Sequence, residues 1–515
     1  GVDGFAGWGS QRSAADSVTE RLQAGEAVFA LDARTGKVLW TYRAKRIPNI
    51  SITVADGMAF FVESTLTAEE CAAARQQKLQ LIEKGVYEQG TEAQLKENDA
   101  DVRVCVALNA TTGEVLWKKP LDLTGCGGDK MGTAYRDGVL LFFGHFSNHD
   151  TGFFKNGELT WRRITALDAK TGDVLWSRPL NYLRRPLVVG NKIIIEPRAC
   201  ELRTGRIVTR AHPITDQPVP WQFLRPGHSC SITSASAHTL FYRSYSGAIY
   251  DLTEDRGLEL FGAIRPGCWL NMVSANGLML MPEASSGCTC SFPVRCSIAL
   301  VHKPSRAPGN WTVFIDDSQM TPAKHLAVNF GAPGDIRDAQ GTMWFGYPRP
   351  VTVSPIGYGR YGVRFDLREK VIDGMGPFRA EPAEAAVGNT DKPWLFASGY
   401  RGLLRCELPL LDDGKDRPAS YTVRLGFKPL PGDRPGQRVF DVKLQDRTVL
   451  KSFDILRPAG KAGQVVVKQF KGVQVRNSLV LELVPNSANP GVEQAPLINF
   501  VEVVREDVPS VAGPS

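Results

Sequence analysis

Three stretches of this 515-residue chain are near copies of one another. Val28 to Trp40 reads VFALDARTGKVLW, Cys105 to Trp117 reads CVALNATTGEVLW, and Ile164 to Trp176 reads ITALDAKTGDVLW. A weaker copy, Ala199 to Thr209 (ACELRTGRIVT), lacks the tryptophan. Each copy reads as a hairpin. One strand runs into Asp or Asn, a Thr-Gly pair reverses the chain, and a second strand ends in Trp. Glycine supplies the positive φ that such a turn needs. The tryptophan is large enough to fill the wedge between neighbouring sheets. One such unit cannot bury its own face, so several must stack, and a closed stack hides its strand edges.

The repeat resembles the blade motif of quinoprotein-like β-propellers, known as the PQQ-like repeat. The segments 240–260, 297–314 and 343–367 read as further, divergent hairpins, which implies about seven blades, or eight, over residues 20–375. Thr65 to Asp101 is rich in Ala, Glu, Gln, Lys and Leu and reads as a helical insertion. After Gly376 the texture changes to alternating strands such as YTVRLGF, VVVKQFKGVQV, LVLELVP and PLINFVEVV, separated by turn residues. Their order resembles a malectin-like β-sandwich. The expected fold class is therefore all-β, with a propeller over residues 1–376 and a sandwich over 377–515.

The 50 Gly and 33 Pro suit many short strands and tight turns. The net charge of +7 is spread along the chain with no basic run, so no nucleic-acid partner is expected. No apolar stretch is long enough to span a membrane. The chain opens at Gly1, which a cleaved signal peptide, a tag or a larger parent would each explain. Ten cysteines favour disulfides in an oxidising compartment, hence a secreted or periplasmic protein. Cys71 and Cys105 flank the insertion and could pin its ends. Cys230, Cys268, Cys288, Cys290 and Cys296 could lock loops between blades.

The loops hold the candidate chemistry. His145 and His149, with Asn148 and Asp150 beside them, could ligate a divalent metal or act as acid and base. His228, Tyr242 and Arg243 form a second group that could move a proton and neutralise a carboxylate, with Tyr245 alongside. Arg265, Trp269 and Asn271 lie where a second Arg-Pro-Gly echoes the one at Arg225. Lys324, His325 and Arg349 add positive charge that would suit an acidic glycan if they converge. Malectin-like domains bind carbohydrate through loop aromatics, which points here to Trp394 and Tyr400, with Phe396 and Tyr421 behind them.

These features imply a carbohydrate-recognising protein outside the cytoplasm, with polysaccharide lyase chemistry on acidic glycans as the catalytic version. A non-catalytic envelope scaffold and a quinone- or metal-dependent oxidoreductase are the alternatives. The quinone is disfavoured because its enzymes stack it under two adjacent cysteines, and no Cys-Cys dipeptide occurs. A divalent metal at His145 and His149 is the other candidate cofactor, and none beyond it is implied.

Overall fold

The computed structural model describes residues 24–90, 100–128, 131–144, 162–182, 184–225, 232–244, 246–261, 266–267, 272–282, 296–301, 311–349, 367–380, 387–460 and 463–507. They divide into two compact units. The first runs to Val208 and adds Pro220–Gly247 and Gly262–Val301. The second comprises Thr209–Val219, Ala248–Phe261 and the chain from His302 onward. The protein is all-β, and the longest helix among the described residues, Ala68–Glu83, lies in the expected insertion.

In the first unit the repeats build sheets in chain order. Thr53–Ala55, Met58–Glu63, Val102–Asn109 and Val115–Asp122 form one antiparallel sheet of four strands. Met131–Arg136, Val139–Gly144, Arg163–Asp168 and Val174–Pro179 form the next. Leu187–Val189, Lys192–Ile195 and Arg198–Glu201 form a third. The first repeat is a hairpin of Ala24–Leu31 with Val38–Pro48.

Each turn is closed by the residue that begins it. Asp32 Oδ1 accepts from the backbone N–H of Arg34 and Thr35, and Asp32 O accepts from Gly36 N at 2.8 Å. Asn109 and Asp168 do the same for the turns ending at Gly113 and Gly172. These local bonds satisfy the turn backbone without tertiary help.

The tryptophans then join one sheet to the next. Trp40 Nε1 donates to Ala110 O at 3.0 Å, Trp117 Nε1 to Ala169 O at 2.9 Å, and Trp176 Nε1 to Leu202 O at 2.9 Å. Each acceptor directly follows the residue that opens the next turn. Each indole also covers that turn's glycine: a Cβ on Gly113 would lie 2.6 Å from Trp40, on Gly172 2.8 Å from Trp117, and on Gly205 2.6 Å from Trp176. The cores between sheets follow the same order. Val28 packs with Val104, Val106 and Leu108; Cys105 and Trp117 pack with Leu140, Phe142 and Leu167; Leu141 and Ile164 pack with Ile193 and Cys200.

The insertion helix starts with a capping box, in which Thr67 Oγ1 accepts from Glu70 N and Glu70 Oε2 accepts from Thr67 N. The expected Cys71–Cys105 bridge is not formed. Both thiols are free: Cys105 lies inside the Val102–Asn109 strand and the core, whereas Cys71 sits half-buried on the helix. Cys296 is also free, so among the described residues no disulfide supports the loop-locking idea. Cys230, Cys268, Cys288 and Cys290 lie outside the described residues.

In the second unit the sandwich is larger than its sequence pattern suggested. Its first sheet runs Ile336–Arg337, Met343–Tyr347, His325–Phe330, Phe500–Arg505, Ala419–Phe427, Val466–Val475. Its second runs Arg368–Val371, Leu403–Pro409, Ser478–Pro485, Val439–Leu444, Arg447–Asp454. Val328, Phe330 and Phe345 share one core with Leu403, Tyr421, Leu425, Phe440 and Val501. Residues 325–347 are thus sandwich strands, with His325–Phe330 antiparallel to Phe500–Arg505 and parallel to Met343–Tyr347. Reading 343–367 as a propeller hairpin and starting the sandwich at 377 missed them.

The indole contact is the testable joint between sheets. Trp117→Ala should destabilise the protein by about 3–5 kcal/mol, while Trp117→Phe should cost less by keeping an aromatic ring over Gly172. Chemical denaturation monitored by circular dichroism measures both.

Candidate functional site

The sequence-derived candidates do not assemble into one described pocket. His145, His149, Asn148, Asp150, His228, Tyr245, Arg265, Trp269 and Asn271 lie outside the described residues. Tyr242 and Arg243 are neighbours on the strand Thr239–Ser244, and both are buried. Tyr242 packs edge-on against Phe223, with ring centroids 4.9 Å apart. Arg225, from the first Arg-Pro-Gly, is buried in an ion pair with Glu196 at 2.8 Å, and Arg184 approaches the same carboxylate at 3.3 Å. Burial, with Arg184 alongside, lowers the Arg225 pKa, and Glu196 opposes that.

The three later cations do not gather at one place either. Lys324 pairs with Asp216 at 2.5 Å, His325 Nε2 meets Glu502 Oε1 at 3.0 Å, and Arg349 Nη2 donates to the buried Asp335 at 3.0 Å. These pairs tie strands and loops of the second unit together. Tyr400, Phe396 and Tyr421 are buried sandwich residues, although the Tyr400 hydroxyl reaches Glu369 at 3.0 Å.

Trp394 has a different setting. The short 3-10 turn Pro393–Phe396 turns Leu395 and Phe396 into the core and leaves Trp394 half-exposed. Its ring meets Trp311, also half-exposed, at 6.3 Å and 84°, and the buried Trp344 at 6.0 Å and 82°. Beside them, Asp338 Oδ2 accepts from Trp344 Nε1 at 2.9 Å and from Lys392 Nζ at 2.5 Å. Asp338 Oδ1 accepts from the Gln340 and Thr342 backbone N–H groups. Burial alone would raise the Asp338 carboxyl, but the Lys392 and Trp344 hydrogen bonds outweigh it and hold it below the ordinary range. Lys392 Nζ lies 5.7 Å from the Trp344 ring centroid. Two perpendicular indoles beside a fixed carboxylate–ammonium pair and the exposed Gln340 make an amphipathic surface. Apolar sugar faces can stack on the rings while hydroxyls meet the polar rim. Sequence reading found Trp394 but missed Trp311, Trp344, Asp338 and Lys392, which lie outside the pattern that signalled the sandwich.

A buried polar network in the second unit was missed as well. Arg210 Nη1 contacts both Asp255 oxygens at 3.0 and 3.1 Å, and Arg210 Nη2 donates to Asp316 at 3.1 Å and to Ile315 O at 2.7 Å. Its guanidinium lies over Phe314. Tyr250 donates to Asp255. His212 Nδ1 accepts from the backbone N–H of Ile214 and Thr215, and Nε2 stands 4.0 Å from Asp316. The bonds to Nδ1 assign the proton to Nε2.

Residues 401–512 match the profile of the Malectin domain, and residues 100–258 match that of the outer membrane protein assembly factor BamB. The chain carries a PQQ-like repeat region and a malectin domain. The quinoprotein ethanol dehydrogenase of Pseudomonas aeruginosa is 31% identical over 176 residues, covering 33% of this chain and 22% of that enzyme. The chain thus matches less than a quarter of that relative's length. Among solved structures, the ANXUR2 extracellular domain of Arabidopsis thaliana aligns over 35% of this chain and 41% of its own, at 15% identity and a TM-score of 0.26. Bacteroides uniformis beta-glucuronidase aligns over 35% and 18%, at 15% identity and a TM-score of 0.25. The sequence holds no Cys-Cys dipeptide, and among the described residues no three His, Cys, Asp or Glu side chains gather as metal ligands.

The His212 environment sets a pH dependence. Burial lowers its pKa below the ordinary 6.5, against the opposing pull of Asp316. The unfolded chain then binds a proton at pH values where the native histidine stays neutral, so stability should fall as pH drops below the ordinary histidine range. His212→Asn keeps an acceptor for the turn, as Asn109 does in the second repeat, and should flatten that slope. Urea midpoints between pH 5 and 8 would show it.

Proposed function

We propose that this protein binds carbohydrate, with the Trp311–Trp394 surface as its contact site. The observation that carries this reading is the pair of half-exposed perpendicular indoles next to the Asp338–Lys392 pair. They lie in the same compact unit as the malectin domain. Stacking on indole is tolerant of sugar identity, and the polar rim supplies the selectivity. Lys392 and the chain's net charge of +7 favour a carboxylated polysaccharide over a neutral one. A secreted or periplasmic location belongs to the same proposal, supported by the match of the repeat region to an outer membrane assembly factor.

Binding of uronic-acid and neutral oligosaccharides, followed by tryptophan fluorescence, tests the reading. Trp311→Ala and Trp394→Ala should each weaken binding about tenfold, equivalent to about 1.4 kcal/mol. Lys392→Met should weaken uronate binding more than binding of a neutral sugar. Equal affinity in all three variants and the parent would remove the site.

Cleavage of the glycan is the catalytic extension of the proposal, with His145, His149, His228, Tyr242 and Arg243 as its machinery. Incubation with polyuronates would then generate the absorbance of an unsaturated uronate, and His149→Ala would abolish it. Binding without that absorbance assigns recognition alone.

A further inference from the structure

Two exposed indoles can carry a glycan in two ways. Coplanar rings set apart along a surface support successive sugars of one chain, each stacked on its own ring. Trp311 and Trp394 are arranged differently. Their planes meet at 84° with centroids 6.3 Å apart. In an edge-to-face pair the edge of one ring stands on the face of the other. A pyranose stacked on either indole therefore meets the plane of the partner within the width of a single sugar ring. The next side is closed as well. Trp344 lies across Trp394 at 82° and 6.0 Å, and it is only 2% exposed.

The polar rim is equally small. Asp338 Oδ2 accepts from Trp344 Nε1 and Lys392 Nζ, and Oδ1 accepts from the backbone N–H of Gln340 and Thr342. Two bonds on each oxygen use the whole acceptor capacity of a carboxylate. The Asp338 side chain, 4% exposed, is thus closed to sugar hydroxyls. Lys392 differs. Its ammonium carries three donors, Asp338 takes one of them, and its side chain is 23% exposed. The rest can meet only an acceptor, and a carboxylate is the strongest acceptor a uronic sugar carries. One stacking corner and one ammonium together specify one charged sugar residue.

We propose, resting on the carbohydrate reading of this surface, that it binds the terminal uronate residue of an acidic glycan and not a run of internal residues. An internal residue has glycosidic links on both sides, and a wall beside the stacked ring leaves space for one link only. The terminal residue has just that one link. Its ring stacks in the corner between the two indoles, its carboxylate meets Lys392, and the rest of the chain leaves through the open side. Trp311 thus serves as a stop as well as a stacking surface, and sugars beyond the first add little to the affinity.

A free uronic acid and its dimer, tetramer and hexamer, titrated into the full chain and followed by tryptophan fluorescence, test this. Molar affinities should agree within about threefold across the series. A long polyuronate should bind in proportion to its chain ends, so partial hydrolysis at constant mass should raise its capacity as ends are created. Two blocked hexamers sharpen the result, one reduced at its C1 end and one methylated at the terminal O4. At least one of them should lose affinity by about tenfold or more. A gain of about tenfold or more from monomer to tetramer overturns the proposal. So does a capacity that follows polymer mass and ignores the ends, and so does full binding of both blocked hexamers. Trp394→Ala separates these outcomes from failure of the site itself. Length-dependent binding that Trp394→Ala weakens keeps the surface as a carbohydrate site and overturns terminal recognition alone. Absence of uronate binding, or binding that Trp394→Ala leaves unchanged, removes the site and the terminal claim together.

Discussion

The docking of an indole on the next repeat's turn glycine holds the first unit together. It does three things at once. It buries a large apolar surface, satisfies the indole N–H, and fixes the distance between consecutive sheets. The glycine is required twice, once for its positive φ and once because a Cβ would occupy the space of the ring. This double requirement explains why the Thr-Gly pair and the terminal Trp recur together in three copies. A sheet that lacks one partner keeps its local turn but loses its neighbour.

The same turn persists where its residues have changed beyond recognition. The opening residue and the reversal residue are separated by four positions at Asp32 and Gly36, Asn109 and Gly113, Asp168 and Gly172, and Glu201 and Gly205. The pattern continues at His212 and Asp216, and at Asp251 and Asp255. At His212 the imidazole Nδ1 replaces the carboxylate as acceptor, and Asp216 takes the positive φ of 60° in place of glycine. At Asp255 the φ is 47°, and the side chain gains a new task as partner to Arg210 and Tyr250. With aspartate in the glycine position, the residue whose backbone takes the left-handed conformation of the turn also anchors a buried cation through its carboxylate.

How much of this was legible in the sequence follows from how local each interaction is. The first repeats could be read because turn, strand and tryptophan lie within thirteen residues. The helical insertion was legible in the local composition of Thr65 to Asp101 for the same reason, whereas its Thr67–Glu70 cap was not read. The degenerate turns were not, since histidine and aspartate perform the Asp and Gly roles by different chemistry, and only the spacing of four betrays them. The start of the sandwich was hidden by distance. His325–Phe330 finds its partner in Phe500–Arg505, and no periodicity within 325–347 tells a sandwich strand from a blade strand. The Trp311–Trp394 surface is non-local too. Its five residues come from a strand, a 3-10 turn and intervening loops between residues 311 and 394, and they converge only once those strands have paired.

That convergence bears on how the Trp311–Trp394 surface keeps its shape. Trp344 is buried in the sheet, and its indole N–H holds Asp338; Asp338 in turn holds Lys392, which immediately precedes the turn that presents Trp394. The partly buried Trp394 ring is therefore positioned by a chain of contacts that begins in the core. A solvated loop tryptophan would lose rotamer freedom on meeting a sugar, whereas one wedged between Trp311 and Trp344 has already lost it on folding. The carboxylate matters here chiefly as a brace. Without it the ammonium of Lys392 would be released from beside Trp344, and the polar rim would no longer be set relative to the rings. The shape of this surface thus depends on the same device as the docking of the blades, an indole (here the buried Trp344) whose N–H is held by a hydrogen bond at its edge.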